Sequence, residues 1–284
     1  MAEAQVSLDS VSAKLRRADE HAKALTGELA SFVNLYSHAV EVDHNADFTE
    51  YYASIHFDGG DPDYVGWGLL LGDYVHCLRS ALDHLIYAFA VAESNAEPPP
   101  DANKVMMPLK TTEQGFRDAG YRIAGLNDVV RARIETLQPY PDRPDNALLG
   151  VLDDMDIRDK HRILPVLAFR PAEAAAQISG GIPGQKTRIK ASGEPLKDGA
   201  PFLTVSFDRP SPDVQVDGNL ALSILVPDAE PVSIGWYVAG ELVRALRLDV
   251  RRAIQILLGE QAEPRPPLKL MIGHQLSASG GDEP

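Results

Sequence analysis

Asp73, His76, Arg79, Ser80, Asp83, His84 and Tyr87 recur at helical spacing along one segment of the chain. At about 100° per residue they fall within an arc of roughly 140°, so a helix here presents all of them on one face. A solvated helix face is built from Lys, Glu and Gln, and this arc holds none of them. It offers imidazole, guanidinium, carboxylate, hydroxyl and phenol, the groups that move protons or hold phosphate and metal. Arg79, Asp83 and His84 stand among them as candidate catalytic groups by their chemistry. His76, Ser80 and Tyr87 are candidate phosphate or ligand contacts. The same stripe can also satisfy itself as a polar network that fixes helix register, and the sequence leaves both roles open.

A second group lies at the end of a later helix, expected over about Asp145–Arg158. Leu148, Leu152 and Met155 mark its buried side, and Asp159 projects between Leu148 and Leu152 if the helix continues that far. A carboxylate aimed at a core needs a partner. Lys160, His161, Arg162 or Arg79 would supply it. One reading is an ion pair anchoring the helix end; the other joins Asp159 and His161 to Arg79 and His84 in a single site.

These residues are positioned by elements whose periods are legible. Leu8, Val11, Leu15, Ala18, Ala22, Leu25, Leu29, Phe32 and Tyr36 step alternately by three and four, which predicts a helix over about Ser7–His38. Its seam suits lengthwise packing in an antiparallel bundle or, alternatively, a homodimeric coiled coil. Phe48–Phe57 reads as a short strand ended by Gly59-Gly60-Asp61-Pro62. The stripe-bearing helix follows over about Asp63–Ala92, then shorter helices near Thr111–Ala119 and Asn127–Leu137. Ile163–Phe169, Thr187–Ala191, Phe202–Phe207 and Asn219–Val226 are β-prone runs between turns. An apolar stripe from Trp236 to Leu257 returns the chain to helix.

The fold class expected is therefore α+β, mainly α: a long-helix bundle carrying a small antiparallel β-rich insertion. Residues 1–161 form the first part of the bundle, 162–231 the insertion, 232–259 the last bundle helix and 260–284 a flexible tail.

Composition narrows the function classes. The formal net charge of −14 disfavours general binding to nucleic acid or to an anionic membrane. Cys77 is the only cysteine, which excludes an intrachain disulfide and fits a reducing cytoplasm. The first residues lack the basic and apolar regions of a signal peptide. The longest apolar run, Val65–Leu71, covers about a third of the ~20 residues a spanning helix needs. No membrane association is expected.

Other chemistries find less support. There is no H-E-x-x-H or paired E-x-x-H, and Asp153-Asp154-Met155-Asp156 reads as a solvated acidic face, so no metal and no cofactor is expected. G-x-S-x-G is missing, and Cys77 lies near the apolar side of its helix, where a thiol is inert. The Gly180-Gly181-Ile182-Pro183-Gly184 stretch lacks the ending of a phosphate loop. Arg244, Arg247 and Arg251 repeat along the last helix as the candidate RNA or ligand footprint, unless the chain's own carboxylates pair with them.

Leu78-Arg79-Ser80-Ala81-Leu82-Asp83-His84-Leu85, Leu137-Gln138-Pro139-Tyr140 and Asp159-Lys160-His161-Arg162 resemble a recurring set of uncharacterised bacterial proteins, over about residues 65–165. More distantly, Arg79 through His84 is similar to the R-x(4–6)-H motif of HEPN domains, helical bundles that are often metal-independent ribonucleases. That resemblance implies His84 as general acid or base, Arg79 on the scissile phosphate, and a dimer that brings two motifs together. Two expectations follow: a non-catalytic cytoplasmic module that binds a partner or ligand, or alternatively a HEPN-like ribonuclease of a stress or anti-phage system.

Overall fold

The computed structural model describes residues 6–36, 40–57, 62–161, 163–164, 169–192, 197–227 and 236–262. It is α+β. Helices α1 (Asp9–Tyr36) and α2 (Tyr64–Ser94) flank a hairpin of β1 (Val40–His44) and β2 (Glu50–Ile55). Then come α3 (Glu113–Asp118), α4 (Asp128–Thr136) and α5 (Ala147–Asp159), the strands β3 (Phe169–Ser179), β4 (Thr187–Ala191), β5 (Pro201–Phe207), β6 (Gln215–Pro227) and β7 (Trp236–Val238), and finally α6 (Ala239–Leu258). Among the described residues no helix is long and apolar enough to cross a membrane.

The chain divides into two compact units. A helical unit comprises Met1–Ala24, Gly68–Leu164 and Asp228–Pro284, and a sheet unit comprises Leu25–Trp67 and Pro165–Pro227.

Side-chain chemistry sets the helix ends. Thr112 caps α3 by accepting from Gly115 N at 3.1 Å, and Asn127 caps α4 by accepting from Val130 N at 2.9 Å. Asn95 leaves α2 at a φ of 47°, a left-handed conformation that a short polar side chain tolerates. Gly259, at φ 80°, does the same after α6.

In the helical unit α2 carries a wide buried face. Leu71, Tyr74, Val75, Leu78, Leu82, Leu85 and Ile86 are all buried, covering more of its circumference than one apolar stripe. Val11 and Ala18 of α1, Leu148, Leu152 and Met155 of α5, and Leu242, Leu246, Val250 and Leu257 of α6 complete the core. Each such aliphatic side chain contributes about 1.5–3 kcal/mol on burial. The Tyr74 hydroxyl donates to the Val243 carbonyl, joining α2 to α6. The α1 seam thus turns inward within a single chain, through Val11 and Ala18 here and through Leu25, Leu29 and Phe32 in the sheet unit.

The sheet unit orders its strands β1-β2-β5-β4, all antiparallel, over a core of Tyr51, Val205, Phe207, Val214 and Val216. β3 pairs antiparallel with β6. The sheet is therefore not confined to 162–231, because β5 recruits the hairpin that precedes α2.

Several sequence expectations shift. The strand expected from Phe48 begins at Glu50, because Phe48 takes a φ of 53° in the hairpin turn, where Asn45 Oδ1 accepts from Thr49 N and Glu50 N. β1 has no counterpart in the sequence expectations. Residues 163–164 lie outside any strand, 165–168 lie outside the described residues, and β3 instead starts at Phe169. Trp236 belongs to β7 rather than to the apolar stripe of α6. Residues 263–284 of the expected tail, and Ser37 and His38 of the first helix, fall outside the described residues.

Candidate functional site

The polar stripe of α2 forms as expected, and it meets two different surroundings. Toward its first half it faces α5. Asp153, Asp156 and Asp159 of α5 meet Arg79, His76 and Gly72 of α2 in turn, so the two helices run antiparallel. Arg79 is 6% exposed. Its Nε donates to Asp153 Oδ1 at 2.8 Å, Nη1 to Asp83 Oδ1 at 2.5 Å and Nη2 to the Met107 carbonyl at 2.7 Å. Burial opposes the Arg79 charge, but Asp83 and Asp153 outweigh it, and the guanidinium is held more firmly protonated than usual. Asp83 Oδ1 also accepts from Met107 N at 2.8 Å.

One turn earlier, buried Asp156 accepts from Lys160 Nζ at 2.6 Å and lies 3.0 Å from His76 Nδ1, while His76 Nε2 lies 3.4 Å from Ser80 Oγ. Carboxylate, imidazole and hydroxyl stand in the order of a nucleophilic triad. However, Ser80 sits in mid-helix, where neighbouring N–H groups are committed to intrahelical bonds and offer no oxyanion hole. The chain of contacts orients His76.

Asp159 corrects the expectation placed on it. Its carboxylate lies against the α2 backbone, where a Cβ at Gly72 would stand 2.0 Å from Oδ1, so a larger residue there would have to displace the carboxylate. Asp159 reaches the stripe beside Asp73 and His76; it does not pair with Arg79, which Asp153 and Asp83 fill. Burial, then Asp73 and Asp156, raise its pKa, with His76 and Lys160 opposing. His161 is exposed just beyond α5, and no contact among the described residues joins it to Arg79 or His84. Arg162 lies outside the described residues.

Toward its second half the stripe opens on a cavity of about 890 Å³ within the helical unit. Asp83, His84 and Tyr87 line it from α2, joined by Ser7, Asp9 and Ser10 at the start of α1 and by Glu97 beyond the end of α2. Ala88, Val91, Ala92 and Val105 supply an apolar wall. Neither the His84 imidazole nor the Tyr87 hydroxyl has a hydrogen-bond partner among the described residues. Burial and nearby Lys14 depress the His84 pKa, with Asp83 opposing, so the ring is neutral at pH 7. Followed by NMR, His84 is expected to titrate below about 6.5, and Asp83→Asn to lower the value further. A depressed folded-state value means that the neutral ring adds stability above about pH 6.5, which is lost as pH falls through the folded value.

The remaining candidates are engaged elsewhere. Arg247 grips Asp19 through Nε at 2.7 Å and Nη2 at 3.1 Å, Arg244 pairs with Glu241 at 2.8 Å, and Arg251 also has an interaction within the chain. Arg244 and Arg247 of the basic strip thus serve the chain's own carboxylates. Cys77 is buried, and burial pushes its thiol pKa up, as for an inert cysteine. Among the described residues no cluster of three ligating side chains could hold a metal.

Sequence reasoning missed the acceptors Asp153 and Asp156 and the cavity residues Ser7, Asp9, Ser10 and Glu97. Only the three-residue steps from Asp153 through Asp156 to Asp159 hinted that one carboxylate face of α5 is directed at a partner. No protein-family model, no curated protein sequence and no solved structure matches the chain at a significant level.

Proposed function

We propose that this protein is a non-catalytic ligand-binding module whose ligand occupies the cavity along the second half of α2. The observation that carries this reading is the pairing of two half-buried polar groups without a partner among the described residues, the His84 ring and the Tyr87 hydroxyl, with an apolar wall in a cavity of about 890 Å³. Small-molecule sites are concave and set convergent polar groups beside an apolar wall, and this cavity has both, with polar residues the more numerous in its lining. We read α1, α2 and α6 as a long-helix bundle, supported by the ties from Asp19 to Arg247, His21 to Asp73 and Tyr74 to Val243, with the cavity between the start of α1 and the second half of α2. The lone buried Cys77 fits a cytoplasmic setting.

The alternative, a HEPN-like ribonuclease, requires Arg79 to hold phosphate. Its burial and three acceptors count against that role. A fragment screen by NMR tests the binding reading. Hits are expected to shift the resonances of His84, Tyr87 and Val91, and Val91→Trp, which fills the cavity from a half-buried position, is expected to abolish them. A screen without hits, or hits indifferent to Val91→Trp, would remove the proposal. RNA cleavage in EDTA that is lost in His84→Ala would instead favour the ribonuclease.

A further inference from the structure

The lining of the cavity also states which ligand charge it accepts, an inference that rests on the binding reading above. We propose that it selects organic ammonium ions, an amine carried on a small apolar body. Three carboxylates line the space, Asp9, Asp83 and Glu97, and no Lys or Arg does.

Their net effect follows from what already offsets each of them. Asp83 is matched by Arg79, which bonds its Oδ1. The first turn of α1 adds roughly half a positive charge, and Asp9 lies on that turn. Lys14 acts on His84 from outside the lining. Against half a charge and one indirect ammonium stand Asp9 and Glu97, neither with a cationic partner among the described residues. A carboxylate ligand would meet Asp9, Asp83 and Glu97, with only the first turn of α1 in the lining to favour it. A cation enters it favourably.

The neutral groups agree with this sign. His84, kept uncharged at pH 7 by burial and Lys14, does not repel an ammonium, and its unprotonated ring nitrogen can accept from one. The Tyr87 oxygen can accept a second N–H, and its ring face attracts cations. Val91, Ala88 and Val105 provide the apolar contact that a hydrocarbon body needs. A metal ion is not the cation, because no three ligating side chains converge among the described residues.

The test uses three probes that share one body: 2-phenylethylamine, 2-phenylethanol and phenylacetate. Each is titrated into the isotope-labelled full chain at pH 7.4, and binding is read at His84, Tyr87 and Val91. The amine is expected to bind roughly fivefold or more tightly than the alcohol, as one or two solvent-accessible ion pairs deliver, with phenylacetate weakest. Asp9→Asn combined with Glu97→Gln is expected to erase that preference, bringing the ratio of amine to alcohol affinity close to one; Asn keeps a short polar side chain at the start of α1. Equal or tighter binding of the alcohol or of phenylacetate overturns the ammonium assignment, and so does no binding of any probe. If the fragment screen succeeds while the amine preference is missing, the cavity reading stands and only the charge assignment falls. If both are blank, both fall.

Discussion

Arg79→Ala is expected to destabilise the helical unit by about 3–5 kcal/mol, the cost of stripping one partner from a buried ionic network. The substitution strands the Asp83 and Asp153 carboxylates and the Met107 carbonyl, each of which lies within 2.8 Å of a guanidinium nitrogen. Global stabilities run to about 5–15 kcal/mol, so this is a large share of the total. Arg79→Lys is expected to recover little, because one ammonium does not reproduce a planar fork that serves three acceptors in fixed directions. Urea unfolding followed by circular dichroism measures both variants. If Arg79→Ala unfolds at the wild-type midpoint, the guanidinium is not structural, and it becomes available to the phosphate-holding role that the HEPN resemblance implies.

That network explains which parts of the site the sequence could disclose. The α2 stripe was legible because its seven polar residues repeat on one helix, and local spacing is enough to find them. The opposing face was not. Asp153 and Asp156 look the same in sequence whether they face water or a buried cation, and their partners lie 74 and 80 residues away. Asp159 shows the same ambiguity from the other side: it does turn toward the interior, but what it meets is the bare backbone at Gly72, which no charge rule anticipates. The cavity was hidden for a related reason. Ser7, Asp9, Ser10 and Glu97 are ordinary surface types, and only tertiary packing sets them beside His84.

The elements divide along the same line. α1, α2 and α4 follow from period and capping residues, and β4 and β5 from short β-prone runs between turns. β3 carries Ala174, Ala175 and Ala176, poor strand formers, and it forms through its long antiparallel pairing with β6. The Phe48 turn depends on a backbone conformation that a bulky residue adopts only when its surroundings impose it. At β3 a non-local pairing overrides a local preference, and at Phe48 the Asn45 bonds act together with the Ser211 N–H donated to the Phe48 carbonyl at 2.9 Å.

Gln138 makes the same point for a motif rather than an element, and its replacement is the second large effect expected. The Leu137-Gln138-Pro139-Tyr140 run stands out in the sequence only as a motif, and Gln138 in it is fully buried. Its Oε1 accepts from Lys110 N at 2.9 Å, and its Nε2 donates to the carbonyls of Pro108 and Ile134, each at 2.9 Å. The side chain stands in for backbone pairing between the Pro108–Lys110 segment and the end of α4. Gln138→Ala leaves one N–H without its partner and removes the donor from two carbonyls, at about 1–3 kcal/mol for each group left unsatisfied, so a loss near 3 kcal/mol is expected. Gln138→Glu is expected to cost more at pH 7, because a carboxylate would face the Pro108 and Ile134 oxygens with no hydrogen to give. Burial and those oxygens would raise the folded-state pKa of the introduced carboxyl above its unfolded value. Such a group adds stability below the unfolded value of about 4.3 and loses it as pH rises, so the deficit against wild type should narrow between pH 7 and pH 4.5. Paired urea midpoints at those two pH values decide the matter, and a Gln138→Glu variant as stable as wild type at pH 7 would mean that the native side chain donates to neither carbonyl.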